Sequence, residues 1–223
     1  MSEFALTHIA KIISAAAKKS GRNHTDIKLV GVTKSMDTTT IAKLLDEGVQ
    51  DLGENRVQDF LPKYEKMLPQ NPTWHFIGHL QRNKVKFIID KVAMIHSVDS
   101  IGLANEIDKQ AKKIGKNIDI LMEVNIANEA SKYGVSPDDI ISFANELTPL
   151  TNIRVRGLMC IAPYVENPED NRPYFKNMRN LLVDINKCSH HNLTELSMGM
   201  SGDYAVAIQE GATMVRIGTA LIA

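Results

Sequence analysis

A lysine at the end of an apolar run is the residue in this sequence best suited to covalent chemistry. Lys34 closes the run LVGVTK. If that run is a strand ending on the rim of a barrel, the lysine is partly desolvated there, and burial disfavours its charged ammonium form. A neutral amine is a nucleophile that condenses with an aldehyde. The alternative is a lysine whose head extends into water, and the local sequence leaves both interpretations open.

Two glycine-containing turns near the C-terminus indicate an anion site. The first, MGMSGD, contains Ser201, and the second, RIGT, contains Gly218 and Thr219. Small residues, a hydroxyl and exposed backbone N–H groups favour phosphate. Either turn alone is a weak signal, because tight turns use glycine for backbone reasons. Together, after the last two predicted strands of a barrel, they predict a phosphate site.

Arg216 begins the second of these turns. It could lie inside the mouth of a barrel as a permanent cation, because a guanidinium keeps its proton in proteins. It could equally pair with a structural carboxylate. The sequence alone does not decide between these two environments.

Metal ligation and a Ser/His/Asp nucleophile are not supported. His75 and His79 are four residues apart, but Gly78 and the strand-like context do not give the helical face of a zinc pair. Cys160 and Cys188 lack ligand spacing and are expected to be free thiols in a reducing compartment. The sequence contains no GxGxxG, Walker A or GxSxG motif. We therefore expect no metal.

The composition is that of an ordinary globular protein, and it argues against two classes of function. The chain has 223 residues, with 26 Lys plus Arg against 26 Asp plus Glu. Nucleic-acid and membrane-surface binders need a basic excess, so neither partner is expected. No apolar run approaches the ~18 residues that span a bilayer, and the N-terminus does not have the pattern of a signal peptide. We predict a cytoplasmic protein.

Strand-like and helix-like segments alternate along the chain after a leading helix at roughly residues 3–20. Apolar or β-branched runs predict strands at 28–33, 49–54, 74–78, 94–99, 119–126, 154–162, 194–199 and 213–220. Segments with helical period lie between them, at 38–48, 57–68, 81–92, 102–115, 137–147, 173–186 and 203–212.

This alternation predicts one α/β domain over residues 1–223, a single (β/α)8 TIM-type barrel with an extra N-terminal helix. An open doubly wound sheet is the alternative, although it usually has fewer strands. No helix is expected after the eighth strand, and the N-terminal helix is expected to cover that gap. Active sites of such barrels lie where strands end, which is where Lys34 and both glycine turns fall.

Several segments resemble the pyridoxal phosphate homeostasis protein family (the YggS/PROSC type), which is similar in fold to the N-terminal barrel of alanine racemase. They run in family order and span essentially the whole chain. The segments are LVGVTK, GEN at 53–55, WHFIGHLQRNK at 74–84, NEASKYG at 128–134, RGLMCIAP, and ELSMGMSGDYAVAIQEGATMVRIGTALI near the C-terminus.

The resemblance implies a role for individual residues. Lys34 matches the lysine that holds pyridoxal 5′-phosphate as a Schiff base, and Arg216 matches the arginine near the pyridine nitrogen. Lys132 matches a family lysine outside the Schiff-base position. The remaining matches are Ser201, Gly218 and Thr219 around the phosphate, and Asn55, His79 and Met159 lining the cofactor pocket.

Arg216 argues against strong catalysis in a protein of this kind. A guanidinium only donates hydrogen bonds, so the ring nitrogen beside it stays unprotonated and the ring is a weak electron sink. Racemisation could survive this, but it needs a second base facing Lys34, and no counterpart of the domain that supplies it in alanine racemase is expected here. We predict a non-catalytic protein that buffers pyridoxal phosphate and delivers it to apo-enzymes, as a monomer rather than a dimer.

Two other functions remain open from the sequence. One is a pyridoxal-phosphate-dependent amino-acid racemase, in which Tyr133, Tyr164 or His79 would be the second base. The other is a phosphate-handling barrel enzyme that does not use pyridoxal phosphate at all.

Overall fold

Parallel strands close into a barrel in the part of the chain that the structure, a computed structural model, describes, which is residues 3–222. Residues 1, 2 and 223 of the predicted domain lie outside this part. Each strand pairs with the next, and β8 returns to pair with β1, with Gly31 beside Ile217. The (β/α)8 TIM-type barrel is thereby confirmed. The strands are β1 Lys28–Val32, β2 Asp51–Glu54, β3 Thr73–Phe76, β4 Met94–Val98, β5 Ile118–Glu123, β6 Ile153–Met159, β7 Glu195–Ser197 and β8 Met214–Ile217.

Helices follow the strands on the outside of the barrel. The segment predicted as one helix at 81–92 is instead a 3-10 turn at Arg82–Lys84 followed by a single α-helical turn. The α-helices are α1 Glu3–Lys19, α2 Thr38–Asp46, α3 Val57–Met67, α4 Val85–Ile88, α5 Ile101–Lys113, α6 Ile140–Leu147, α7 Arg172–Cys188, α8 Tyr204–Gln209 and α9 Thr219–Ile222. The other 3-10 turns are His24–Asp26, Leu68–Gln70 and Pro168–Asn171.

The prediction that no helix follows the eighth strand is wrong, because the short helix α9 begins directly after β8. One turn of helix leaves much of this side open, and α1 packs against both α8 and α9. Ile9 and Ile13 on α1 are buried in the main core. The N-terminal helix therefore supplies the apolar cover on this side of the barrel.

The predicted strands extend beyond the observed ladders at their carboxyl ends. Val124, Ile126, Cys160 and Ala162 are buried although they follow the last residues of β5 and β6. Burial continues the apolar pattern of the sequence beyond the carboxyl ends of these strands. The apolar runs in the sequence therefore indicate which residues are buried, and not where each strand ends.

The inner and outer faces of the strands form two separate cores. Residues that face the helices belong to one large cluster, which includes Ile95, Leu158 and Val215. The residues that alternate with them face the inside of the barrel, because side chains point to opposite faces along a strand. Met94, Leu121, Met159 and Met214 form a small apolar cluster of their own there.

Candidate functional site

The two closing loops predicted to form an anion site lie against each other. The N–H of Arg216 donates to the carbonyl of Gly199 at 3.0 Å. The N–H of Ala220 points at the Ser201 Oγ at 3.4 Å. Gly199 has φ +91°, a conformation that glycine adopts without strain. The structure thus brings the turn containing Ser201 next to the turn containing Gly218 and Thr219.

Gly218 allows the second loop to approach the end of β1 closely. A Cβ at this position would lie 3.2 Å from the Val32 Cβ and 3.3 Å from the Val32 carbonyl oxygen. Contacts of that length are tighter than side chains ordinarily tolerate, so glycine keeps β1 and β8 together here. The loop therefore approaches β1 at Val32, two residues before Lys34.

Lys34 lies in the turn after β1 and its side chain is exposed. It lines a groove of about 460 Å³ with Asp37 and Lys66, and within the described residues no hydrogen bond or ion pair holds its amine. Of the two interpretations that the sequence left open for Lys34, the structure favours the lysine whose head extends into water. The reason is that β1 ends at Val32, and the buried position after it is taken by Thr33.

A second lysine beside the same groove is held by hydrogen bonds. Lys63 on α3 donates to the Thr33 carbonyl oxygen at 2.7 Å and to the Glu54 Oε1 at 2.6 Å. Glu54 is fully buried, and Thr33 donates its hydroxyl to the same Oε1 at 2.6 Å. These contacts fix Thr33, the residue before Lys34.

Arg216 is 4% exposed and faces the inside of the barrel. Its Nη1 donates to the Ser197 Oγ at 2.7 Å and its Nη2 donates to the Cys160 carbonyl oxygen at 2.8 Å. No carboxylate of the described chain forms an ion pair with it, so the structure favours the isolated interior cation over the paired arginine. Burial lowers the pKa of the guanidinium, but from a value so high that the group stays charged.

Glu123 is a buried acid that the sequence analysis did not single out. It ends β5, and its Oε2 has no hydrogen-bond partner among the described residues. Burial raises the pKa of its carboxyl to about 7; Asp99 adds to the rise and Arg216 opposes it. It lines a cavity of about 160 Å³ together with Tyr133. The signal in the sequence was an acid inside the apolar run DILMEVNI, at an inward position of the strand.

Asn55 and His79 lie in the loops after β2 and β3. The Asn55 Oδ1 is buried without a partner, and a Cβ at Gly78 would lie 2.2 Å from the Asn55 backbone oxygen, so these two loops touch. His79 stacks on Tyr133 with ring centroids 3.7 Å apart. Its Nδ1 lies 3.5 Å from the Asp99 Oδ2. Both residues therefore lie at the carboxyl ends of the strands, as the barrel rule expects.

Met159 is placed differently from these two residues. It is fully buried in the apolar interior of the barrel, packed with Leu121 and Met214. Its strand partner on β5 is Glu123. The structure thus puts Met159 inside the barrel rather than on an open loop.

Comparison with known proteins finds relatives that match almost the whole chain. Residues 5–223 match the family described as alanine racemase, N-terminal domain. The pyridoxal phosphate homeostasis protein of Aquifex aeolicus is 45% identical over 216 residues, which are 97% of this chain and 95% of the relative. This chain belongs to the pyridoxal phosphate homeostasis protein family. The protein of that name from Pseudomonas aeruginosa is 36% identical over 97% of this chain and 92% of its own.

Several solved structures are similar in fold to this chain. A protein of unknown function from Bifidobacterium adolescentis superposes with a TM-score of 0.89 at 33% identity, over 97% of this chain and 92% of its own. PipY of Synechococcus elongatus, with PLP bound, superposes with a TM-score of 0.84 at 31% identity, over 95% of this chain and 100% of its own. Alanine racemase of Clostridium difficile shares the fold at 19% identity and a TM-score of 0.65, over 56% of its length.

Three further findings concern the described residues as a whole. No three His, Cys, Asp or Glu side chains among residues 3–222 are arranged to hold a metal ion. None of the described helices has the length and apolar character needed to cross a membrane. Cys160, which is buried, and Cys188, which is exposed, are both free thiols.

Proposed function

We propose that this protein binds pyridoxal 5′-phosphate as a Schiff base on Lys34 and acts in the homeostasis of that cofactor, without robust catalysis. The observation that carries the proposal is the buried Arg216 guanidinium, which has no carboxylate partner in the described chain. The names of the curated relatives support it, as does the PLP bound to the similar PipY structure.

The residues present fit this cofactor. The Nε–H of Arg216 makes no hydrogen bond within the described chain, and a pyridine nitrogen is an acceptor that it can meet. Ser201, Gly218 and Thr219 lie in two touching loops that offer a hydroxyl and backbone N–H groups to a phosphate. The amine of Lys34 has no partner among residues 3–222 and is free to condense with an aldehyde.

The other expected pocket residues would complete the site. Asn55 offers a buried oxygen that still lacks a donor, and His79 presents a ring held by its stacking on Tyr133. Met159 would supply apolar packing from the barrel interior.

The environment of Arg216 supports binding over catalysis. When bound, pyridoxal phosphate supplies an aldehyde and an electron-withdrawing ring. Arg216 donates a hydrogen bond and cannot accept one, so a ring nitrogen beside it stays unprotonated and the ring withdraws electrons weakly. Ser197 and the Cys160 carbonyl hold the guanidinium in place. The protein thus holds the cofactor firmly but does little to activate its ring for catalysis.

The proposal is tested by loading the purified protein with pyridoxal phosphate. We expect absorbance near ~420 nm, the usual band of this cofactor chemistry, which borohydride removes while adding the cofactor's mass to Lys34. Lys34→Ala should lose the band and the adduct. Lys66→Ala is the matched control, because Lys66 is an exposed lysine of the same groove, and it should keep both.

An adduct on Lys66 or Lys63 instead of Lys34 would contradict the assignment. No band and no adduct in the unaltered protein would contradict cofactor binding altogether. That second result would favour the remaining candidate, a phosphate-handling barrel enzyme that does not use pyridoxal phosphate.

Glu123 favours a racemase as the second candidate function. A carboxyl with a pKa near 7 and a free Oε2 has the properties of an acid–base group. It suits the role better than Tyr164, which is 95% exposed. The loaded protein should be incubated with amino acids in D2O. A pure binder exchanges no Cα hydrogen, whereas exchange lost in both Lys34→Ala and Glu123→Gln would establish the racemase.

We further propose that one barrel domain acts as a cytoplasmic monomer and passes its cofactor to apo-enzymes. Light scattering of the loaded protein should give the mass of one chain. Mixing it with a cofactor-free aminotransferase should restore that enzyme faster than the same amount of protein reduced with borohydride, which can no longer release its ligand. Equal rates would contradict delivery.

A further inference from the structure

A continuous chain of hydrogen bonds crosses the inside of the barrel and ends on Arg216. The His75 Nε2 lies 2.8 Å from the Asp51 Oδ1, and the His75 Nδ1 lies 2.9 Å from the His96 Nε2. The His96 Nδ1 lies 3.0 Å from the Ser197 Oγ, which accepts from Arg216. These residues come from β2, β3, β4, β7 and β8 in turn. The chain is thus built by the barrel and not by one local motif.

This chain of hydrogen bonds runs from Asp51 at the surface to Arg216 in the interior of the barrel. Asp51 is partly exposed and also pairs with Lys28 at 3.0 Å, in the groove at the amino ends of the strands. His96 and Ser197 are fully buried, and His75 is nearly so. The large majority of buried donors meet an acceptor, and this preference gives a direction to each hydrogen bond of the chain.

Both ends of the chain fix this direction. At one end Arg216 can only donate. At the other end Asp51 accepts: burial opposes its ionised form, but hydrogen bonds from His75 and Lys28 outweigh this and lower its pKa. The Nε2 of His75 must therefore carry a hydrogen, and its Nδ1 accepts one from the His96 Nε2. That leaves the His96 Nδ1 to accept the hydroxyl hydrogen of Ser197.

The alternative arrangement leaves a hydrogen without a partner. If His96 carried its hydrogen on Nδ1, the Ser197 Oγ would accept both from His96 and from Arg216. Its own hydroxyl hydrogen would then have no acceptor in a fully buried site, which is costly. A second proton on His96 is also excluded, because burial, with His75, Arg216 and Lys28 adding to the effect, lowers the pKa of its ring well below the usual value.

We propose that His75 and His96 are positioning residues, which orient the Arg216 guanidinium through a one-way chain of hydrogen bonds that ends on a carboxylate. Both rings are neutral with the hydrogen on Nε2. The chain holds Nη1 on Ser197 and so directs the free Nε–H of Arg216 to the bound ligand. The link to ligand binding rests on the proposed function, whereas the positions of the ring hydrogens do not.

The ring hydrogens are tested without any cofactor. Protein labelled with 15N-histidine should show, in a long-range 1H–15N correlation, two neutral rings with protonated Nε2 and bare Nδ1. Loss of one set of signals in His75→Gln and of the other in His96→Gln assigns them, and triple-resonance assignment of the unaltered protein replaces a variant that does not fold. A protonated Nδ1 on either ring would overturn the proposal.

The effect on the ligand is tested by removing one hydroxyl. Ser197→Ala should weaken pyridoxal phosphate binding by about tenfold, the size expected for one hydrogen bond to a charged group, and should shift the absorbance maximum of the bound cofactor. Ser197→Thr, which keeps a hydroxyl, should restore most of the affinity. Ser97→Ala is the control, because Ser97 follows His96 in the sequence and its buried hydroxyl has no hydrogen-bond partner in the described chain.

The outcomes separate the two proposals. If the unaltered protein has no cofactor band, the proposed function fails. The positions of the hydrogens on the His75 and His96 rings still test the one-way chain of hydrogen bonds. If the band is present but Ser197→Ala and Ser97→Ala bind equally tightly with the same spectrum, the positioning role of the chain is refuted.

Discussion

Two acidic residues inside the barrel, Asp51 and Glu123, have opposite environments. The pKa of Asp51 is lowered because hydrogen bonds from His75 and Lys28 outweigh its burial. The pKa of Glu123 rises to about 7 because burial is not balanced by any hydrogen bond to its Oε2. At neutral pH one acid is a fixed charge and the other can exchange a proton. Their positions at opposite ends of the strands give the barrel two distinct ends.

The raised pKa of Glu123 predicts a pH-dependent stability. Its ordinary value is 4.5 and its folded value about 7, so the folded protein holds the extra proton between these values. Its stability therefore falls as pH rises through this window, by up to about 3 kcal/mol. Glu123→Gln should remove that fall, as measured by urea unfolding at pH 5 and pH 8. The exposed Glu65→Gln should change nothing, and a parallel fall in Glu123→Gln would contradict the assignment.

The sequence predicted which residues gather at the carboxyl ends of the strands better than it predicted their environments. The turns around Ser201 and Gly218 are in contact, as their position after the last two strands suggested. Lys34 is exposed rather than partly desolvated, because strand length sets which residue turns outward. Glu123 was missed, since an acid inside an apolar run is interpretable only once the barrel interior is known.

Close backbone contact between neighbouring strands sets where side chains are allowed. Gly157 on β6 pairs with Glu195 on β7. A Cβ at Gly157 would lie 1.8 Å from the Glu195 carbonyl oxygen and 2.6 Å from its carbonyl carbon. Backbone atoms in a ladder cannot move aside as the end of a side chain can. This pair therefore fixes how β6 and β7 meet.

Gly157→Ala is expected to destabilise the barrel by about 3 kcal/mol or more, at the upper end of overpacking substitutions. Urea unfolding measures the change, and failure to fold would agree with it. Gly102→Ala is the control, because its nearest neighbour is the flexible Arg82 Nη1 at 3.4 Å. Equal stability of the two variants would show that β6 and β7 separate readily.

The apolar runs were enough to predict the strands in order, because in a parallel barrel each strand is buried on both faces. They could not predict the hydrogen bonds between His75, His96 and Ser197. Those contacts join side chains from three different strands, and they depend on the tilt and stagger of the closed barrel. Only the three-dimensional arrangement of the strands around one axis brings these side chains together.

Closure of the molecule as a whole depends on α1. The helix after β8 has four residues in the described part of the chain, and α1 packs against it and against α8. Ile9, Ile13 and Ala17 are buried there. The first helix of the chain thus completes the outer layer beside the last strand, which joins the two ends of the sequence in one core.

Ile9→Ala should therefore destabilise the whole barrel rather than a detached helix. Removing this 2% exposed side chain should cost about 2–4 kcal/mol in a single unfolding transition followed by circular dichroism. The exposed Lys11→Ala on the same helix should have no such effect. Two separate transitions in Ile9→Ala would show that α1 is an independent appendage.

The contacts of Lys63 have a consequence for selectivity between neighbouring amines. Its Nζ donates to the Thr33 carbonyl and to the Glu54 carboxylate, so both contacts must break before this amine can attack a carbonyl group. The Lys34 amine has no partner among the described residues and needs no such rearrangement. We therefore expect a reactive carbonyl compound that enters this groove to modify Lys34 before Lys63.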